Sequence, residues 1–323
     1  MKRLALLSLA VINLVGCGDG GRPQVTLRTG VLQAQDYLPY FVMQDQGFDK
    51  RNGLRFVEQT FQGGAAVLAG LADGSLDAGP TAGSVPVLTA AEQGWIPDKI
   101  VVVAANCFAD LEHPGVGLLV ASHIRDWKDL RGQKIAINAR NSISTAAVDG
   151  RLKQEGVEDY AFVEISFPNM GLAMAGGNVA GAGMNEPYLT QSLLRRDGRL
   201  LAWVVGGPPF ERMEFSLIVF GAAFYRSNPQ GVKAYLRAHL AAVRWINDHP
   251  REARALLARR LSLGRDVAER INLLRWPRDA RNAPELLDQM QQVLVKARVL
   301  KTPIPARRLY DETLLTEVLG EKG

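Results

Sequence analysis

Small polar residues and glycines stand at the start of two predicted helices, each directly after a predicted strand. Gly63 and Gly64 follow one strand, and Asn141, Ser142 and Ser144 follow another. The first turn of a helix has free backbone N–H groups and about half a positive charge, so it can hold anionic oxygens. The same residues are also typical of strand-to-helix turns and helix caps. Both an anion site and plain capping therefore remain open.

Two charged residues near these loops could recognise a ligand by its charge. Arg140 could clamp a carboxylate or a sulfonate, because a guanidinium presents paired donors; the alternative is a surface ion pair. Glu186 could bind an ammonium or an aminopyrimidine group, and a structural role is the alternative. If both side chains faced one cleft, a zwitterion such as an aminosulfonate would fit best.

Other candidates come from loops that follow predicted strands, because ligands of open α/β sheets bind at the carboxyl ends of the strands. Thr81 and Ser84 either contact the ligand or cap a helix, and Tyr37 and Tyr40 either face a cleft or belong to the core. The full predicted ligand-binding set is Tyr37, Tyr40, Gln62, Gly63, Gly64, Thr81, Ser84, Arg140, Asn141, Ser142, Ser144, Asn185 and Glu186.

No sequence motif predicts catalysis. The four histidines lack metal-ligand spacing, and the sequence has no Gly-x-Ser-x-Gly, P-loop or Cys-x-x-Cys motif. These absences do not exclude an enzyme. Taken with the N-terminal leader described below, they lead us to expect a binding protein with neither a cofactor nor a metal.

The elements that position these loops alternate between strand and helix, in two successive series. The predicted strands are 25–31, 54–59, 75–79 and 100–105, then 134–138, 162–165, 181–184 and 200–205, and a further apolar strand, 215–221, follows them. This alternation predicts an α/β fold of two lobes, each a doubly wound, mostly parallel sheet. The helical run 229–319 is expected to pack on the first lobe. The predicted crossovers between the lobes are 117–122 and 214–221.

The N-terminus has the features of an export signal. It begins Met1-Lys2-Arg3 and continues through an apolar run, 4–15, which is shorter than the roughly 20 residues that span a bilayer. The end of this run, Leu-Val-Gly before Cys17, resembles the lipobox of bacterial lipoproteins. That resemblance implies a signal peptide at 1–16 and a lipidated tether at 17–24. It also implies that the mature protein is anchored by lipid to the outer face of a membrane. An ordinary secretory signal with a chance cysteine is the alternative.

Composition fits a globular chain large enough for two domains, with 323 residues, 47% of them hydrophobic, and a net charge of +5. Its basic residues form no dense stripe, so we expect no nucleic-acid partner. With Cys17 lipidated, only Cys107 remains, and no intramolecular disulfide can form.

Five segments occur in an order that resembles one known family. They are 40–48, 69–79, 129–136, Asn185-Glu186-Pro187-Tyr188 and 245–250. Together they resemble the nitrate/sulfonate/taurine-type substrate-binding proteins of ABC importers. The resemblance implies a type II periplasmic-binding-protein fold, with 25–119 plus 219–323 as lobe 1 and 120–218 as lobe 2. It also implies a monomer that binds a small organic or inorganic anion and delivers it to a permease driven by an ATPase.

Two departures from the family pattern bear on the ligand. Met184-Asn185 stands where an aromatic residue usually precedes the acid-proline pair, and Ala180-Gly181 stands where Asp-Ala is usual. A pyrimidine or thiamine precursor or an aromatic acid is therefore an alternative ligand, and an enzyme on the same scaffold is an alternative function.

Overall fold

The computed structural model describes residues 24–321 of the chain, so the predicted signal peptide and Cys17 lie outside the described residues. The strands within this range are β1 Val25–Val31, β2 Leu54–Thr60, β3 Ala78–Gly83, β4 Ile100–Ala109, β5 Val116–Val120, β6 Gln133–Ile137, β7 Tyr160–Glu164, β8 Gly181–Asn185, β9 Arg199–Val205 and β10 Met213–Gly221. The helices are α1 Leu38–Asp45, α2 Phe48–Arg51, α3 Gly64–Ala72, α4 Ser84–Glu92, α5 Ile143–Gln154, α6 Phe167–Ala175, α7 Tyr188–Arg195, α8 Ala222–Ser227, α9 Pro229–Asp248, α10 Pro250–Arg260, α11 Arg265–Ala268, α12 Pro284–Lys296 and α13 Thr313–Gly320.

These strands form two five-stranded sheets, ordered β2-β1-β3-β10-β4 and β7-β6-β8-β5-β9. In the first sheet β1 is parallel to β2 and β3, while β10 runs antiparallel to β3 and β4. The second sheet repeats the scheme, with β6 parallel to β7 and β8 and with β5 antiparallel to β8 and β9. The predicted two-lobed α/β fold is confirmed. Each sheet is mixed: four of its strands run in one direction and one, β10 or β5, runs against its neighbours.

The chain passes between the sheets at 110–115 and again at 206–212. The strand predicted at 215–221 is present within β10. The crossovers expected at 117–122 and 214–221 overlap β5 and β10, which pair inside the second and first sheets respectively. Both strands are buried along their whole length. A strand that is buried on both faces does not reveal in sequence which sheet it joins. The lobe boundaries that we propose therefore move to the two crossing segments.

The C-terminal helices pack mainly on the first sheet, as predicted. The long helix α9 contacts α1, α2 and β2, and α13 contacts β4. Beneath α9 the ring of Tyr235 meets Phe220 and Phe56, and Phe56 in turn meets Tyr40. Aromatic pairs of this kind add to the free energy gained by burying apolar area. Helix α12 packs on β10 and also reaches α5, so this segment contacts both units.

Within residues 24–321, no helix combines the length and the apolar character that crossing a membrane requires.

Candidate functional site

A pocket lies between the two sheets, and residues of both units line it. The first unit contributes Leu32, Ala34, Asp36, Tyr37, Gly64, Thr81, Gly83, Pro86 and Phe215, and the second contributes Asn138, Ser142, Ile143, Ser144, Phe167 and Asn185. Several of these residues end or directly follow β1, β3, β6 and β8, at the carboxyl ends of the strands. That is where ligands of α/β sheets bind.

The two units touch each other at the rim of this pocket. Asn138 Nδ2 donates a hydrogen bond to the Gln62 carbonyl at 3.3 Å, and Thr89 Oγ1 lies 3.3 Å from Asn141 Oδ1. A Cβ on Gly63 would come within 2.8 Å of the Ala139 Cβ. These contacts leave a cavity of about 50 Å³. One water needs about 10–15 Å³ of such space, so in this form the cavity has room for only a few water molecules.

Asp36 is the acidic group of the pocket. It lies in a single 3-10 turn, Gln35–Tyr37, soon after β1, and is 8% exposed. Thr81 Oγ1 donates to its Oδ2 at 3.0 Å, and Asn106 Nδ2 donates to its backbone carbonyl at 2.8 Å. Burial raises the pKa of the carboxyl group to about 6. Tyr37 was selected from this loop in the sequence analysis, and Asp36 was missed. The available signal was a charged residue in a loop that directly follows a predicted strand.

The tyrosines and hydroxyls of the first unit divide between the pocket and the core. Tyr37 lines the pocket, and its hydroxyl donates to the Thr81 carbonyl at 2.9 Å. Tyr40 is 1% exposed and its hydroxyl lies 2.9 Å from Thr29 Oγ1, so Tyr40 belongs to the core. Ser84 is also buried, and its hydroxyl donates to the Phe215 carbonyl at 3.3 Å.

The start of α5 forms the opposite wall. Ser142 caps the helix, since its Oγ accepts from the Thr145 N–H at 3.2 Å, and Ser144 Oγ donates to Asn185 Oδ1 at 3.2 Å. Ile143 and Ser144 are the first two residues of α5, and both line the pocket. The first N–H groups of a helix have no partner inside it. Helix capping and a place in the pocket wall therefore coexist here.

The two charged residues expected at the ligand lie elsewhere. The Arg140 side chain is 72% exposed, and its Nε lies 3.6 Å from Glu164 Oε1, which makes it a surface ion pair. Glu186 is 1% exposed. Its carboxylate accepts from the Thr190 N–H, the Thr190 hydroxyl and the Asn272 N–H, at 3.1, 2.8 and 3.3 Å. Burial raises its pKa to about 6. Glu186 thus ties α7 to the C-terminal segment, which is the structural alternative.

The predicted set therefore falls into three groups: six residues line the pocket (Tyr37, Gly64, Thr81, Ser142, Ser144 and Asn185), three lie at its rim (Gln62, Gly63 and Asn141), and four lie in the core or on the surface (Tyr40, Ser84, Arg140 and Glu186). Ligand contact by any of these residues stays a prediction.

The pocket carries an acid without a neighbouring base. Among the residues described as lining it, none is Lys, Arg or His, while Asp36 is a carboxylate. In the described part of the chain, no cluster of three or more His, Cys, Asp or Glu side chains is placed to hold a metal ion. Apart from Asp36, the lining consists of aromatic, apolar and neutral polar residues.

Comparison with known proteins connects this architecture to a family. The model of the NMT1-like family matches residues 20–262 of the chain. A search among curated proteins finds no match.

Several solved structures share the fold. The alkanesulfonate-binding protein SsuA from Xanthomonas axonopodis pv. citri, bound to MOPS, is 22% identical with a TM-score of 0.69, and the match covers 91% of this chain and 97% of that one. The periplasmic nitrate-binding protein NrtA from Synechocystis PCC 6803 is 14% identical with a TM-score of 0.74, covering 91% and 88%. The desulfurization enzyme DSZB is 18% identical with a TM-score of 0.62, covering 91% and 98%. At such identities these likenesses concern the fold alone.

Proposed function

This chain belongs to the NMT1-like family, and we propose that it is the extracytoplasmic solute-binding component of an ABC importer. The observation that carries the proposal is the pocket between the two sheets, which both units line and over which they make direct contact. Solute binders of importers share this fold, as the sulfonate-binding and nitrate-binding proteins illustrate. In this proposed role the protein acts as a monomer and delivers its solute to a permease, which a separate ATPase drives.

The proposed working cycle is the opening and closing of the two units around the solute. The segments 110–115 and 206–212 connect the sheets and would act as hinges, since a few residues at element ends can absorb such a motion. In the closed form the first turn of α5, with Ile143 and Ser144, meets the turn that carries Asp36. The permease would then release the solute by favouring the open form.

The solute was expected to be a small anion such as a sulfonate, taurine or nitrate. In this pocket an anion would find the first turn of α5 and neutral side chains such as Asn185, but it would also face Asp36. Arg140, the expected clamp, pairs with Glu164 outside the pocket. The geometry therefore supports a small polar solute more strongly than it supports a purely anionic one.

Closure around a retained solute tests the proposed role. Protein purified without denaturation is expected to carry a small molecule in one-to-one ratio, which native mass spectrometry detects. Stripping it by unfolding and refolding should increase the radius of gyration in small-angle X-ray scattering, and adding it back should reverse the increase. Scattering profiles that are identical in both states would contradict the proposal.

The proposed attachment to a membrane depends on Cys17. We expect the full chain expressed in a bacterium to incorporate labelled palmitate and to sediment with membranes. A lipidated Cys17 would carry more than one acyl chain, and that number is what stable anchoring needs. Cys17→Ser should lose both properties, whereas the control Cys107→Ala should keep them, since Cys107 is buried. Labelled Cys17→Ser protein would rule out this anchor.

An enzyme is the second candidate, favoured by the shared fold of the desulfurization enzyme. The Cys107 thiol lies 3.0 Å from the Ser216 hydroxyl, but Cys107 is buried and does not line the pocket. Burial raises its pKa well above the ordinary value, so the thiol stays protonated and is a poor nucleophile. Chemical conversion of the retained solute during incubation would favour the enzyme over the binding protein.

A further inference from the structure

We infer that the solute carries a cationic nitrogen, an ammonium or amidinium group, that donates a hydrogen bond to the Asp36 carboxylate. This inference rests on the proposed function, because it names the chemical class that the same pocket would take.

The carboxylate of Asp36 is held in place with one oxygen still available. Asp36 is 8% exposed, and its Oδ2 accepts from Thr81 Oγ1 at 3.0 Å. The Thr81 carbonyl is in turn held by the Tyr37 hydroxyl, and Asn106 holds the Asp36 backbone. An ionised carboxylate has about four acceptor positions, and in the described residues no side chain donates to Oδ1. A donor on the solute would pair with this oxygen.

The surroundings of Asp36 contain no positive charge that would neutralise it. None of the described residues lining the pocket is Lys, Arg or His. The titratable groups that face Asp36 are Tyr37 on its own turn and Cys107 on β4, and burial raises the pKa of both, so they stay neutral. A neutral tyrosine and thiol leave the carboxylate as the dominant charge. A bound cation is therefore favoured and a bound anion is opposed.

Three aromatic residues add to the preference for a cation. Tyr37, Phe167 and Phe215 all line the pocket, and the face of an aromatic ring attracts an ammonium or amidinium group. The first turn of α5 on the opposite wall favours negative charge. A zwitterion could place its nitrogen at Asp36 and its acidic end at α5. A solute with negative charge alone would lack the first of these two interactions and suffer repulsion from Asp36.

A panel of three small probes tests the inference on the purified full chain. Ethanolamine is a cation, taurine a zwitterion and ethanesulfonate an anion of similar size. At pH 8 and constant ionic strength we expect ethanolamine and taurine to raise the melting temperature and ethanesulfonate to leave it unchanged. Asp36→Asn should weaken amine binding at least tenfold while keeping the melting temperature of the unliganded protein. The matched control Asp49→Asn, a buried acid in α2 away from the pocket, should bind amines as the wild type does.

The pH dependence gives a second readout. The pKa of Asp36 is about 6, so amine affinity should fall about tenfold for each pH unit below that value, as protonation removes the negative charge. Asp36→Asn should show no such fall. For an anion the direction would be opposite, since protonation removes the repulsion.

Several outcomes would overturn the inference. They are a larger shift with ethanesulfonate than with ethanolamine, an amine shift that survives in Asp36→Asn, and no shift with either amine. If ethanesulfonate alone binds, the solute class is wrong and the solute-binding role stands. If no probe binds and native mass spectrometry finds no retained molecule, the proposed function fails as well.

Discussion

Gly63→Ala is expected to weaken solute binding by about 5- to 150-fold and to leave the stability of the unliganded protein unchanged. A Cβ at this position would lie 2.8 Å from the Ala139 Cβ, which belongs to the other unit. Overpacking of this kind costs about 1–3 kcal/mol, and here the cost arises only when the units close. The backbone of Gly63 is extended, with φ of −156° and ψ of 157°, so alanine fits the open form without strain. Isothermal titration with the retained solute measures the loss.

A compensating substitution provides the control. Ala139→Gly removes the single atom that the new methyl group would meet within 4 Å. The double variant Gly63→Ala, Ala139→Gly should therefore recover most of the lost affinity. If the double variant binds as weakly as Gly63→Ala, the contact between the units does not limit closure, and the explanation is wrong.

Gly206→Ala is expected to destabilise the whole fold by about 2–5 kcal/mol. Gly206 has a φ of +80°, which costs an alanine about 1–2 kcal/mol. Its Cβ would also lie 2.5 Å from the Asp110 carbonyl oxygen and 2.6 Å from the Pro114 Cα. Those are backbone atoms of the other crossing segment, which cannot move cheaply, so a further packing cost of about 1–3 kcal/mol follows. Urea denaturation followed by circular dichroism measures the difference.

Gly74→Ala separates the two contributions. Gly74 has nearly the same φ, +81°, and a Cβ there would meet no atom within 4 Å. This variant should therefore show only the conformational cost, about 1–2 kcal/mol. Equal losses at Gly74 and Gly206 would mean that the close contact between the crossing segments contributes nothing.

The sequence predicted the fold well because its signals are local and repeated. Strands alternating with helices gave the two-lobed class, and the segments in family order agreed with the family match over residues 20–262. Pairing partners were harder to predict. The strands β5 and β10 are buried along their whole length, and nothing in such a run indicates which of two sheets it enters. The crossing points were therefore misplaced by several residues.

The loops that form the candidate site could be predicted from the sequence. Which side chains of those loops enter the pocket was harder to predict. Ser142 and Ser144 were found because helix starts have a recognisable composition, and both line the pocket. Arg140 and Glu186 were chosen for their charge, but the direction of a side chain depends on partners far along the chain, such as Glu164 and Asn272. Asp36 was missed for the same reason, since its partner Thr81 is 45 residues away.

The position of β10 between β3 and β4 has a consequence for how the protein assembles. The strands of the second sheet all come from one continuous stretch of chain, whereas the first sheet remains split until residues 213–221 arrive. During synthesis from the N-terminus, all strands of the second sheet, β5 to β9, emerge before β10 does. Until β10 emerges, β3 and β4 each keep an unpaired edge. Such edges are prone to pairing with other chains. The unit built on the first sheet is thus the aggregation-sensitive half of the nascent polypeptide, and the late emergence of β10 sets how long its edges stay exposed.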